Sequence, residues 1–209
     1  GYYSVVSKQD WEIAPGIKES EIVLNNASGT RRQVLHIMEA DMNSEYTKVI
    51  GSYAEMNTSK YQTATMDVQA SWVEDNWGWN VVGAMNTCLS WYSGYPADQV
   101  GKPLGFLMLD GNVLWDGCEG FPTVLVINKD FDASGNARPA DIPKVEMVQI
   151  RSSADLDGWE EQVIPANFGF LVKDGKNQYS KDNNAANGAS RSFVGIKADG
   201  TFVMVMNDP

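Results

Sequence analysis

The stretch Gly105-Phe106-Leu107-Met108-Leu109-Asp110-Gly111-Asn112-Val113-Leu114 decides the fold, because an Asp-Gly pair separates two strand-like apolar runs. A type I′ turn needs positive φ at both central positions. Gly accepts that freely, and Asp tolerates it better than most residues. The signature recurs in Gly169-Phe170-Leu171-Val172-Lys173-Asp174-Gly175-Lys176 and in Val194-Gly195-Ile196-Lys197-Ala198-Asp199-Gly200-Thr201-Phe202-Val203. Three hairpin tips predict an α+β protein with a twisted, largely antiparallel sheet and few helices. Their uneven spacing excludes a solenoid.

From Arg32 the sequence alternates, with Val34, His36 and Met38 on one face and Leu35, Ile37, Glu39 and Asp41 on the other. Apolar residues on both faces predict a central strand with its polar residues near one end. A second strand is expected over residues 47–56. Thr65 is positioned to cap a helix through about Glu74, where Met66, Ala70 and Val73 recur at helical spacing. Trp77-Gly78-Trp79-Asn80 breaks it, and Val81-Val82-Gly83-Ala84-Met85-Asn86 reads as a short buried strand. Further strands are expected over 121–131 and 145–150, a short helical turn around Trp159, and an Asn-rich loop over 175–189. Residues 1–30 read as mixed and polar, with an extended lead-in from Trp11 and a turn at 25–30. No linker interrupts the pattern, so residues 1–209 read as one domain.

Bulk properties narrow the function classes. A chain of 209 residues with 43% hydrophobic side chains, seven Trp, eight Tyr and seven Phe can bury a sizeable core. A net charge of −11 argues against nucleic acid, which asks for a basic face. No apolar run reaches the length of a membrane span, about 18 residues. No signal peptide is visible at Gly1, as a mature chain would also look. The single histidine excludes a multi-His metal site, and no cofactor motif is read. Asp130, Asp132 and Asn136 surround a glycine, yet the terminal Glu of a calcium loop is lacking. Cys88 and Cys118 leave two readings open, a disulfide or two buried thiols.

The order of these pieces resembles the phosphodiester glycosidase family, which includes the lysosomal uncovering enzyme and bacterial surface proteins. The resemblance rests on His36-Ile37-Met38-Glu39-Ala40-Asp41, then a helix leading into Val81-Val82-Gly83-Ala84-Met85-Asn86, then Pro103-Leu104-Gly105 with the first hairpin. It continues through Asn167-Phe168-Gly169-Phe170-Leu171-Val172 and Arg191-Ser192-Phe193-Val194-Gly195-Ile196 with their Asp-Gly turns, spanning residues 34–206. Two departures stand out. Thr87-Cys88-Leu89-Ser90-Trp91-Tyr92 follows Asn86 where the family has Gly and paired aromatics. The family's C-terminal Gly-rich segment is also missing after the last strand, and a chain ending so would leave part of a sheet uncovered. The resemblance implies a carbohydrate or glycosyl phosphodiester as partner, an extracellular or periplasmic location, and a C-terminal fragment as a further partner.

Seven residues are candidates for the chemistry. His36 can carry a proton near neutral pH. Glu39 and Asp41 share a strand face, and two like charges push one carboxyl pKa up, as acid/base work on a glycosidic bond requires. Asn86, at the end of an apolar run, can hold a sugar hydroxyl or phosphate oxygen. Arg191 offers the fork that suits a phosphodiester oxygen pair, and the resemblance has Arg at this place. Trp91 and Tyr92, just after Asn86, are the aromatic pair best placed for a sugar face. Each has an ordinary alternative: a backbone-bonded imidazole, solvated acids, an Asx turn at Asn86, a surface ion pair for Arg191, and burial for the tryptophans. On the resemblance, the expected function is hydrolysis of a glycosyl phosphodiester at the anomeric C–O bond, with His36, Glu39 and Arg191 catalytic and Asn86, Asp41, Trp91 and Tyr92 binding substrate. A non-catalytic glycan-binding surface module, or a fragment active only with its missing half, are the alternatives.

Overall fold

The computed structural model describes residues 3–56, 61–88, 90, 96–166, 169–178 and 191–208. It contains β1 (Tyr3–Ala14), β2 (Ile17–Asn26), β3 (Arg32–Ala40), α1 (Met66–Trp77), β4 (Leu107–Leu109) and β5 (Asn112–Trp115). There follow β6 (Thr123–Asn128), β7 (Val145–Gln149), β8 (Glu160–Pro165), β9 (Val172–Lys173), β10 (Lys176–Asn177), β11 (Arg191–Ile196) and β12 (Phe202–Asp208). One five-stranded sheet runs β1-β2-β3-β12-β11 and a second runs β5-β4-β8-β6-β7, with β9 and β10 as a separate ribbon. Every pairing among the described residues is antiparallel. The architecture is therefore the α+β, hairpin-built class expected from the turns. No described helix is long and apolar enough to cross a membrane.

Alternation along the strands builds the core. On β3, Ala40 faces Ile17 on one side and Phe202 on the other, and Met38 faces Glu19 and Met204. Directly paired residues share a face, so these positions form one inner surface of the first sheet. Ala40 and Phe202 pack there against Leu125, Ile127 and Ile164 of the second sheet. The other parity of β6, Val124 and Val126, packs with Phe106, Met108 and Val163 beneath Ile150 and Leu156. That is why β6 reads as a continuous apolar run: it is buried on both faces. Each such side chain contributes about 1.5–3 kcal/mol by leaving water.

Two of the three Asp-Gly tips adopt the expected turn. Asp110 and Gly111 have φ of 49° and 73°, and Asp174 and Gly175 have 51° and 69°. The third tip is built differently. Only Gly200 has positive φ there, at 86°. Its N–H donates to the Lys197 carbonyl at 3.0 Å while the Lys197 N–H donates to the Thr201 carbonyl at 2.9 Å. Asp199 serves instead as a side-chain acceptor for the Thr201 N–H at 3.0 Å. β12 does not end the sheet exposed, because it pairs with β3 on one side and β11 on the other.

Four local expectations need correction. Residues 1–30 hold two long strands, β1 and β2, joined at Gly16 rather than a loose lead-in. Residues 47–53 form no strand, only a short 3-10 turn following at Ala54–Met56. The reason is anchorage at both ends. Thr47 Oγ1 donates to the Pro15 carbonyl at 3.1 Å, and the Gly51 N–H donates to the buried Gln162 Oε1 at 2.6 Å. The segment thus crosses from the first sheet to the second. Gly16 is required beneath it, since its φ is 80° and a Cβ would lie 2.6 Å from Thr47 Oγ1. Residues 81–86 form no strand either. β3 and β12 already pair on both sides, so the segment lies across the sheet, with Gly83 against Met38. Lastly, Trp159 precedes β8 and is not helical; the nearby 3-10 turn is Ser153–Asp155.

Candidate functional site

A cleft of about 1050 Å³ opens above the inner face of the first sheet. Met38 and Met204 form its floor, Leu107 and Ile164 reach it from the second sheet, and Gln69 and Val73 of α1 close one side. Much of the rest of the wall comes from residues 45–54, 62–66 and 79–88. The lining is mostly apolar with a few convergent polar groups, as small-molecule sites usually are. α1 is positioned by Gly78, whose left-handed cap donates its N–H to the Glu74 carbonyl at 3.0 Å. Glu74 Oε1 in turn accepts the Val81 N–H at 3.1 Å, setting the direction of the segment that follows.

Asn86 lines this cleft. Its Oδ1 accepts the Cys88 N–H at 3.1 Å, so the Asx turn named as its ordinary alternative is present. An amide has two further donors for a ligand. The backbone carbonyl of Asn86 accepts the Ser192 hydroxyl at 3.3 Å, which brings the segment onto the start of β11, beside Arg191. Strand alternation sets Arg191 on the opposite face from Ser192, exposed at the first position of the strand. Cys88 also lines the cleft, and burial pushes its thiol up to about 11. Cys88 and Cys118 are not joined as a disulfide.

His36 is on the inner face, between Glu21 of β2 and Met206 of β12. Its Nδ1 is 3.8 Å from Glu19 Oε1. Glu39 is on the outer face, where its Oε2 meets Lys197 Nζ at 2.6 Å. The two residues expected to act together therefore stand on opposite sides of one sheet. From the register, Glu39 and Arg191 are separated by about 16 Å of backbone. Asp41 lies just past β3 and caps it: its N–H donates to the Gly16 carbonyl at 2.8 Å and its Oδ1 accepts the Asn43 N–H at 2.9 Å. Trp91, Tyr92, Asn167, Phe168 and residues 179–190 of the Asn-rich stretch lie outside the described residues.

The acids of β2 that share the face of His36 are thus Glu19 and Glu21, which the sequence reading passed over. The signal was present. Ile17, Glu19, Glu21 and Val23 alternate with Lys18, Ser20, Ile22 and Leu24. Without recognising β2 as the partner of β3, nothing linked those acids to the histidine.

Residues 80–209, more than half of the chain, match the family model for phosphodiester glycosidase. No curated protein sequence matches the chain closely enough to count as a relative. The match begins beside Trp79 and takes in Asn86, the first Asp-Gly hairpin and the whole of β11 and β12. Because that match covers more than half of the chain, the chain belongs to the phosphodiester glycosidase family.

Proposed function

We propose that this protein hydrolyses a glycosyl phosphodiester at the bond between the anomeric carbon and the phosphate oxygen. The observation that carries this reading is the Ser192–Asn86 hydrogen bond, which joins two parts of the family match at the end of the cleft. In this reading Asn86 holds the substrate at the end of the cleft, whereas Arg191, which strand register sets on the outer face with Glu39, is a weaker choice for the phosphate. Water adds to the anomeric carbon, the C–O bond breaks, and the phosphate leaves with the electron pair. His36 takes the proton from the attacking water, and Glu19 orients the imidazole and offsets the charge it gains.

Glu39 is a weaker choice for that proton, because Lys197 engages it on the other face. Asp41 serves in a turn, so its substrate role is not retained in this proposal. A location outside the cytoplasm belongs to the same proposal, and fractionation of the native host tests it.

Release of free sugar from UDP-GlcNAc, or from a GlcNAc-1-phosphodiester, is the test. Turnover by the 209-residue chain that disappears in Asn86→Asp and in His36→Asn supports the reading. No turnover of either substrate overturns it. Exposed aromatic rings at the cleft mouth favour a second reading, a glycan-binding module. Binding of oligosaccharide without release of sugar would establish that one instead.

A further inference from the structure

The charged side chains lining the cleft, among the described residues, are Glu45 and Lys48. Lys48 Nζ sits 4.9 Å from the centre of the Trp79 ring, and Trp79 also lines the cleft. Trp79 is held from behind: its ring is 5.0 Å from that of Trp77, which is 5.8 Å from that of Trp72, both at steep interplanar angles. It nevertheless keeps 37% of its surface exposed, and Tyr46 on the same rim keeps 73%. Two anchors hold this rim rigid. The Thr47 hydrogen bond to Pro15 fixes the backbone next to Lys48, and the Gly78 cap fixes the backbone next to Trp79.

An ammonium group lying over an indole face has a definite ligand chemistry once the flexible lysine turns aside. The ring accepts a flat or apolar ring face, and the cation accepts an anion beside it. In a protein of net charge −11, a cation at the mouth of an apolar cleft is where an anionic ligand meets least repulsion. We propose that Trp79 and Lys48 form a subsite for the leaving half of the substrate, with Lys48 on the phosphate and Trp79 beneath the ring attached to it. This rests on the phosphodiester reading above and extends it to residues outside the family match.

Two ligands share that chemistry: a nucleoside diphosphate sugar, whose ring is a base, and a sugar–phosphate–sugar, whose ring is a second sugar. Glu45, also on the rim, disfavours the anion, so its neutralisation should tighten binding.

The test is calorimetric titration with two phosphonate analogues in which a methylene replaces the anomeric oxygen, so that no bond is split. One carries uridine monophosphate and the other a second sugar. Neutral chitobiose serves as the uncharged control. Lys48→Ala is expected to weaken both phosphonates about tenfold, the loss of one charge-assisted hydrogen bond, and to leave chitobiose unchanged. Glu45→Gln is expected to tighten both phosphonates. Trp79→Ala is expected to weaken one of them about tenfold through lost stacking, and which one identifies the ring.

Binding by Lys48→Ala and Trp79→Ala equal to wild type, or no binding of either phosphonate by wild type, overturns the subsite. The two readings fail separately. If wild type releases sugar from UDP-GlcNAc and the rim variants bind normally, the subsite is wrong and the reaction stands. If nothing is released but binding depends on Lys48, the subsite stands and the reaction is wrong.

Discussion

The Ser192 hydroxyl donates to the backbone carbonyl of Asn86 at 3.3 Å, joining segments 106 residues apart in the chain. Because the bond uses the Asn86 backbone, it survives any change of that side chain. The side chain has a separate task, since Oδ1 holds the Cys88 N–H in a turn. Asn86→Asp keeps an acceptor for that turn and loses the amide donors. It should melt like wild type yet lose about a hundredfold in kcat/KM, combining a lost donor with repulsion of the phosphate. Asn86→Ala should lose both turn and donor, with a lower melting temperature. Unchanged sugar release in Asn86→Asp would remove Asn86 from the site.

His36 and Glu39 occupy opposite faces of β3, so their variants should separate. Glu39→Gln breaks a partly exposed ion pair with Lys197 and should cost no more than about 1 kcal/mol of stability, with turnover retained. His36→Asn should lower kcat about a hundredfold or more. Glu19→Gln should lower kcat by a smaller factor and change the pH profile, because it acts through the imidazole. Turnover abolished by Glu39→Gln and kept by Glu19→Gln would reverse the assignment.

Gly83 lies against Met38, and a Cβ there would come within 2.5 Å of the methionine sulfur. Gly83→Ala should therefore destabilise the chain by no more than about 1 kcal/mol in urea denaturation. The colliding atom is the end of a flexible side chain. Adding Met38→Ala should then cost less than Met38→Ala does alone, a positive coupling in a double-mutant cycle. Strictly additive costs would mean that the segment over residues 81–86 does not rest on β3.

Burial raises the Cys88 thiol from 9.0 to about 11. A group whose folded pKa is raised contributes full stability below its unfolded pKa, and that contribution is lost as pH rises through the folded value. The window runs from about pH 9 to about 11. Within it the loss should approach about 2–3 kcal/mol, from about 1.4 kcal/mol per pKa unit. Urea midpoints measured across this range should fall less steeply in Cys88→Ala than in wild type. Iodoacetamide at neutral pH should label the native chain at Cys88 more slowly than the unfolded chain. Parallel pH curves for wild type and Cys88→Ala would contradict the buried environment.

Local chemistry was legible in the sequence wherever a few neighbouring residues suffice. Asp110-Gly111 and Asp174-Gly175 announced their turns because only small or αL-tolerant residues accept positive φ. Thr65 stands at the N-cap of α1 and Gly78 ends that helix. The two faces of β3 were sorted correctly, since alternation is a property of one strand. What failed needed a partner. Residues 47–53 look strand-like, yet Thr47 and Gly51 are spent on contacts with Pro15 and Gln162. The apolar run over 81–86 had no strand to join.

By itself, then, the sequence determined the class, an antiparallel α+β protein built from hairpins, and the resemblance that the family match later bore out. Only the tertiary structure decided which groups meet. It set Glu39 against Lys197 and His36 near Glu19, it laid Asn86 on Ser192, and it stood Lys48 over Trp79. The reason is physical. Turn and strand preferences act over a few residues, whereas sheet register and the crossing of a loop between two sheets depend on pairings far apart in the chain.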